Sequence, residues 1–352
     1  MESFTWPDLI STVIRGVDLT TQQTHWAMGS VMAGETSPVV LAGFLTALAT
    51  KGETTDELLG FADAMQARAT QINLPSRAVD IVGTGGDRFR TVNISTMAAI
   101  VIAAAGVPVI KHGNRASSSK SGSADCLEAL GVNLDLSARG VEKVFEQVGI
   151  AFLFANKFHP SMRFAAQARK ELAVPTAFNV LGPLTNPARV HASAIGVARE
   201  EHAPLVAGVL AKRGNSALVF RGLTGLDELS TVTPNQVWEV RNGDVSYSVI
   251  DAVADLGLDA ATIDDLLGDD AQYNAAKATA VLRGEPNAIR QAVVLNAAAA
   301  IVADARLDGV DPSHGSLVER LRNGISIAEN AIDSGKAQEL ARRWIDLSQS
   351  MA

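Results

Sequence analysis

The hydrophobic period changes near residue 78, and this change limits the fold more than any other feature of the chain. Before it, apolar residues recur only at helical spacing. Trp6–Ile14 and residues 21–32 carry such stripes, and Ser37-Pro38 supplies an N-cap with proline at the first helical position, opening a helix over 39–51. Thr54 or Thr55 caps a fourth helix, 56–71. Four helices without a strand predict a small helical domain over 1–74, completed by helices around 160–190. From Ala78 onward, short apolar runs alternate with helical stretches. Strands are expected at 79–82, 107–110, 132–136, 150–154, 192–197 and 216–220, with helices at 95–105, 124–130, 141–148 and 201–212. The expected fold is therefore α/β, with a larger domain over 75–352 built on a mostly parallel central sheet. Asn242-Gly243 inside 237–249 marks a hairpin and one antiparallel strand. Residues 259–267 read as a surface segment. The chain then turns mostly helical from Ala271, where the Ala-rich run 292–303 reads as close packing in the core.

Composition excludes several classes. Apolar residues make up 47% and charged residues 19%, enough for a sizeable core, and the net charge of −8 lacks the basic excess of a nucleic-acid scaffold. Local geometry can still build a phosphate site on an acidic protein. A single cysteine, Cys126, rules out an internal disulfide and fits a reducing cytosol; it reads as a small core residue. The first residues show no secretory pattern and no stretch is long enough to span a bilayer, so a soluble cytoplasmic protein is expected.

Ligands of open α/β sheets gather at the carboxyl ends of strands, and the unusual residues fall there. Gly83-Thr84-Gly85-Gly86-Asp87 follows the first strand, and its backbone amides can converge on anionic oxygen; a tight strand-to-helix turn would use the same residues. It matches neither the dinucleotide fingerprint nor the P-loop. Asn93-Ile94-Ser95-Thr96 places an amide and hydroxyls at a helix start, where phosphate binds readily, although Ser95 could serve as a plain N-cap. The next strand delivers Lys111-His112-Gly113-Asn114-Arg115 and a serine-rich stretch to Ser123, an anion cradle or else a solvated polar loop. Leu226-Asp227-Glu228-Leu229-Ser230 holds adjacent acids, in isolation most often a solvated pair, and Arg169 alone would be an ordinary helix-surface arginine.

These motifs together resemble the anthranilate phosphoribosyltransferases. The likeness is carried by Asp80-x-x-Gly83-Thr84-Gly85-Gly86-Asp87, Thr91-x-Asn93-Ile94-Ser95-Thr96, Lys111-His112-Gly113-Asn114-Arg115, Ser121-Gly122-Ser123-Ala124-Asp125, and Arg169 with residues 178–188, in that order from about 78 to 230. The resemblance implies transfer of the 5-phosphoribosyl group of phosphoribosyl pyrophosphate (PRPP) to anthranilate in tryptophan biosynthesis, with no nucleic acid or membrane partner and a homodimer assembled through the helical domain. It implies that Gly83, Gly86, Asp87, Thr91, Asn93, Ile94, Ser95 and Thr96 hold PRPP, with Lys111, His112, Gly113, Asn114, Arg115, Ala116, Ser117, Ser118, Ser119 and Ser123 gripping its remaining oxygens. Gly83, Asn114 and Arg169 would bind anthranilate, with His112 and His159 along its path; His159 before Pro160 reads equally as a buried or solvated residue. Ser95, Asp227 and Glu228 would hold Mg²⁺, two ions per monomer. A carboxylate about 4 Å from a phosphate oxygen is repelled by roughly 4 kcal/mol at an effective dielectric near 20, so a bridging cation is needed. No residue is assigned as nucleophile or general base. A pyrimidine nucleoside phosphorylase, or a non-catalytic nucleic-acid-binding relative of the same fold, is the alternative. Arg88 and Ala173 stand where this family often has glycine, Asn156 where it often has proline, and Met162 where an aromatic occurs; Arg88 and Arg90 add positive charge near the substrate entrance or alter the loop's mobility.

Overall fold

The computed structural model describes residues 4–116 and 120–351 and divides into two compact units, 1–71 with 155–187, and 72–154 with 188–352. Serines 117–119 of the expected PRPP loop lie outside the described residues.

In the helical unit the caps fix each start. Thr20 and Thr54 form capping boxes with Gln23 and Glu57, and Ser37 caps Pro38–Lys51. Trp6, Phe44 and Phe61 meet edge to face in its core, with centroids 5.2 and 6.1 Å apart. Glu57 is fully buried and satisfied: its carboxylate accepts from Leu19 N at 2.9 Å, Thr54 N at 2.8 Å and Lys51 Nζ at 3.0 Å. Segment 155–187 adds the helix Arg163–Leu172, which ends at Ala173 in a left-handed conformation (φ 51°). Glycine suits that position, and alanine there costs roughly 1 kcal/mol.

The larger unit is built on one seven-stranded sheet. Its strands are β1 (Val79–Gly83), β2 (Val109–Gly113), β3 (Ile150–Phe154), β4 (Ala192–Gly196), β5 (Ser216–Gly222), β6 (Asn235–Arg241) and β7 (Asp244–Ile250), in the order β3-β2-β1-β4-β5-β6-β7. The first five are parallel, and β6 and β7 are antiparallel additions joined through Asn242 and Gly243, both at positive φ. The order in which strands are added reverses between β1 and β4, so a crevice is expected at the ends of those two strands. The buried helix Ala288–Asp304 packs on β1, β4 and β5, and its small side chains allow close approach. Among the described residues no helix is long and apolar enough to cross a membrane.

Two expectations need correction. Residues 132–136 form no strand, because their amides are spent elsewhere: Val132 N donates to Leu127 O, Asn133 N to Ser348 Oγ and Asp135 N to Asn133 Oδ1. The second strand begins and ends later than expected, so Lys111, His112 and Gly113 belong to β2 itself. Alternation along a strand then sends Lys111 and His112 to opposite faces of the sheet.

Glu239 on β6 and Arg320 on helix Leu317–Asp333 form a bidentate pair at 2.7 and 2.8 Å. Burial disfavours the Glu239 carboxylate, but Arg320 and then Arg241 outweigh it and hold the group below its ordinary range. Such a carboxyl stabilises the fold above its ordinary pKa and loses that contribution as pH falls through its folded value. Arg320→Met should therefore cost about 2 kcal/mol at pH 7 by urea denaturation, and the deficit should shrink at roughly pH 4 and below. A deficit independent of pH would assign the loss to packing alone.

Candidate functional site

β1 and β4 run in register and end side by side, Gly83 beside Gly196. Both glycines are required by one residue. A Cβ on Gly196 would stand 1.6 Å from the carbonyl oxygen of Asp227, and one on Gly83 would stand 2.3 Å from its Oδ2. Asp227 therefore sits directly on the seam between the strands. Its Oδ2 accepts from Gly85 N at 2.6 Å, and its carboxyl is in hydrogen-bond contact with Asp87. Thr84 completes the turn, donating its N–H to Gly196 O at 2.9 Å and accepting at Oγ1 from Ala198 N at 3.1 Å.

The site is charged yet buried. Asp227 and Glu228 are only 8% and 9% exposed. Burial, then the charge of Asp87, pushes the Asp227 carboxyl up to about 8, against the Gly85 amide. Burial, then Asp227, raises Glu228 well above its ordinary value, against Lys111 and the Ser95 amide. Asp87 is raised chiefly by burial. Lys111 is pressed the other way: burial lowers its pKa, opposed by Asp80 and Glu228. Its ammonium donates to Ile81 O and to Ser95 Oγ, the latter at 3.2 Å. Three crowded carboxyls with one desolvated amine leave a deficit of positive charge.

That deficit fits a hard divalent cation. Among the described residues no three His, Cys, Asp or Glu side chains form a ready-made ligand shell. Mg²⁺ does not need one, since it commonly takes one or two carboxylates and completes its shell with water and phosphate oxygens. The Asp227–Glu228 pair and the Ser95 hydroxyl are suitable oxygen donors.

The remaining sequence-derived residues divide by position. Ser95 is not the N-cap: the helix Ile94–Ala104 is preceded by Asn93, whose side chain makes no capping bond. Asn93 is instead tied to neighbouring segments, donating to Ser121 O at 3.1 Å and accepting at Oδ1 from Ser121 Oγ at 3.2 Å and Asn274 Nδ2 at 2.8 Å. Thr91 bridges to Leu267, and a cavity of about 170 Å³ opens there between Thr91, Lys120, Ser121 and Asn274. The turn that carries Asp87 is left-handed at Gly85, Gly86, Arg88 and Arg90, which explains why glycine suits position 88. Thr96 is buried, and among the described residues its Oγ1 has no hydrogen-bond partner. His112 is buried and donates its backbone N–H to Asp80 Oδ1 at 3.2 Å. Gly113 closes β2, and Asn114 O accepts from Ser123 Oγ at 3.1 Å. Arg115 is held away from simple anion binding by Glu128 at 2.5 and 2.8 Å and by Asp125 at 2.9 Å, while Ala116 N donates to Asp125 Oδ2. Arg169 belongs to the helical unit, where its guanidinium lies 5.1 Å from the Phe178 ring centroid. His159 in that unit is buried, with Nε2 2.9 Å from Thr185 O. Cys126 is buried and its thiol is pushed up to about 12, which suits a core residue. Asn274 and Asn296 are buried polar residues whose part in this architecture was not expected; Asn296 interrupts an apolar run, and that is the signal it left.

Residues 75–338 match the glycosyl transferase family a/b domain, and residues 7–69 match its helical bundle domain. Among curated relatives, anthranilate phosphoribosyltransferases from Arthrobacter sp. (strain FB24) and Streptomyces griseus are 56% and 54% identical, each over 98% of this chain and 96% of the relative. The chain belongs to the anthranilate phosphoribosyltransferase family. Solved anthranilate phosphoribosyltransferases share the whole architecture. The Thermus thermophilus enzyme superposes with a TM-score of 0.89 at 40% identity, covering 97% of this chain and 99% of that one. The Saccharomyces cerevisiae enzyme in complex with PRPP and Mg superposes with a TM-score of 0.86 at 27% identity, covering 98% of each chain.

Gly196→Ala should cost about 3 kcal/mol, the upper end for overpacking, because the new methyl meets backbone rather than a movable side chain. Gly43→Ala on an exposed helical site with nothing nearby should be neutral or stabilising by roughly 0.5–1 kcal/mol. Equal melting temperatures for the two variants would remove the Asp227 contact from the account.

Proposed function

We infer that this chain transfers the 5-phosphoribosyl group of PRPP to the amine of anthranilate, giving N-(5-phosphoribosyl)anthranilate and pyrophosphate in tryptophan biosynthesis. The observation that carries the reading is the buried Asp227–Glu228 pair on the β1–β4 seam, beside a glycine turn and a helix start. Buried acids without a partner ion are costly, and a polyphosphate substrate brought with its cation accounts for them.

In the reaction the anomeric C–O bond to pyrophosphate breaks and a C–N bond to the arylamine forms, with loss of one amine proton. No covalent enzyme intermediate is needed, and no residue is assigned as general base. Gly83, Gly86, Asp87, Thr91 and the helix start at Asn93, Ile94, Ser95 and Thr96 would bind the phosphoribosyl and pyrophosphate oxygens through backbone amides and hydroxyls. Lys111 acts from inside, offsetting the acids and orienting the Ser95 hydroxyl. His112, Gly113, Asn114, Arg115, Ala116 and Ser123 would complete the PRPP cradle. Arg115 would serve chiefly by anchoring that loop to Asp125 and Glu128. Asn114 and Arg169 would orient anthranilate, Arg169 by paired hydrogen bonds to its carboxylate, with Gly83 leaving room. Ser95, Asp227 and Glu228 would hold Mg²⁺, with two ions per monomer expected, and the metal would supply neutralisation of the charge on the departing pyrophosphate. The exposed Ile14, Val17 and Val39 of the helical unit support assembly as a homodimer through that unit, and the one cysteine, which is buried, suits the cytoplasm.

The test is anthranilate fluorescence, which should fall only when PRPP and Mg²⁺ are both present. Phosphorolysis of thymidine or uridine in its place would overturn the assignment. Replacing Asp227 and Glu228 together by alanine should lower turnover by at least ~100-fold, whereas a variant with full Mg²⁺ response would refute their role. Arg169→Ala should raise the anthranilate KM roughly tenfold or more and leave the PRPP KM near the parent value; an unchanged anthranilate KM would remove Arg169 from the site.

A further inference from the structure

Helix Ala288–Asp304 is apolar from Ala292 to Ala303 except at one position, Asn296, which is fully buried. Its side-chain amide is directed at the backbone N–H and C=O of a single residue outside the helix, Leu229. Oδ1 accepts from Leu229 N at 3.1 Å, and Nδ2 donates to Leu229 O at 2.8 Å and to Ala292 O at 2.8 Å. Leu229 directly follows Glu228. Segment 227–230 lies in neither helix nor strand, so no ladder of backbone hydrogen bonds holds it. Its position depends on side-chain clamps: Asn296 grips residue 229, and Asn235 grips Ser230, accepting from its N–H at 3.1 Å and donating to its carbonyl at 2.9 Å.

We propose that Asn296 is a positioning residue for phosphoribosyl transfer, fixing the backbone that aims the Glu228 and Asp227 carboxylates. The helix that carries it packs on β1, β4 and β5 and on helix Ile94–Ala104, whose Ser95 amide is hydrogen-bonded to Glu228. Glu228 is thus set between two mutually packed helices, by a backbone amide from one and, through Leu229, by a side-chain amide from the other. A buried amide in a core helix is unfavourable unless fully satisfied. Alanine, valine, leucine or isoleucine occupies every other position from 292 to 303, and asparagine fits this one because the backbone N–H and C=O of Leu229 both point at it. Removing a group that orients a metal ligand typically costs 10- to 100-fold in metal affinity even though the ligands remain.

The inference rests on the reading that Asp227 and Glu228 take Mg²⁺, and the experiment separates the two. Calorimetry measures PRPP binding across a Mg²⁺ series for the parent, for Asn296→Leu, which has nearly the same shape without the hydrogen bonds, and for Asn296→Asp, which keeps the acceptor for Leu229 N–H. Asn296→Leu should raise the half-saturating Mg²⁺ concentration at least ~10-fold, with Asn296→Asp between it and the parent and the anthranilate KM within about twofold. If Asn296→Leu does not fold, Asn296→Asp and Asn296→Ser carry the same comparison. Lowered melting temperatures with a Mg²⁺ dependence equal to the parent's would reduce Asn296 to a core residue and overturn the proposal. An unaltered Mg²⁺ dependence in Asp227→Asn combined with Glu228→Gln would instead overturn the metal reading beneath it.

Discussion

Two adjacent carboxylates buried at a seam between parallel strands are the constraint around which the larger unit is arranged. Withdrawing an acid from water costs several kcal/mol unless hydrogen bonds or charges repay it, and here two such groups stand together beside a third. The compensation comes from every neighbouring element: the Gly85 amide, the Ser95 amide, the Lys111 ammonium, and the absence of side chains at Gly83 and Gly196. It remains partial, as the raised Asp227 and Glu228 show. The unit therefore keeps a strained, under-neutralised centre inside a well-packed sheet, a usual trade of stability for activity.

The loops around that centre are joined to one another by side-chain and backbone bonds. Asn93 links the helix start to Ser121 and Asn274, Thr91 pairs with Leu267, and Lys120 meets Asp269 at 2.5 Å. Three separate stretches of chain thereby share one network. A shift at the helix start would be felt at residue 274, because the Asn274 amide also receives Asp269 N.

Much of this was legible in the sequence because it is local. Ser37, Thr54 and the Asn242-Gly243 turn announce themselves by chemistry acting over three or four residues, and the period change at 78 marks where strands begin. What was missed depends on distant partners. Residues 132–136 have a strand-like pattern, but Ser348, more than two hundred positions away, takes the Asn133 amide. Lys111 and His112 read as one cationic loop until β2 is seen to extend through them and turn them apart. Asn296 left only the trace of a lone amide in an alanine-rich run, and nothing nearby in sequence names Leu229 as its partner. The left-handed turns at Arg88 and Ala173 fall where the family's glycine is absent, so those departures mark backbone conformation before they mark chemistry.

The helical unit is assembled from two stretches, 1–71 and 155–187, with three strands of the other unit encoded between them. A ribosome adds roughly 5–20 residues per second, so the first four helices emerge on the order of ten seconds before Arg163–Leu172 exists to cover them. Newly made chains therefore pass through a stage in which apolar helix faces await their own later sequence. Chaperone demand, and sensitivity to translational pausing, should be concentrated in that interval of synthesis.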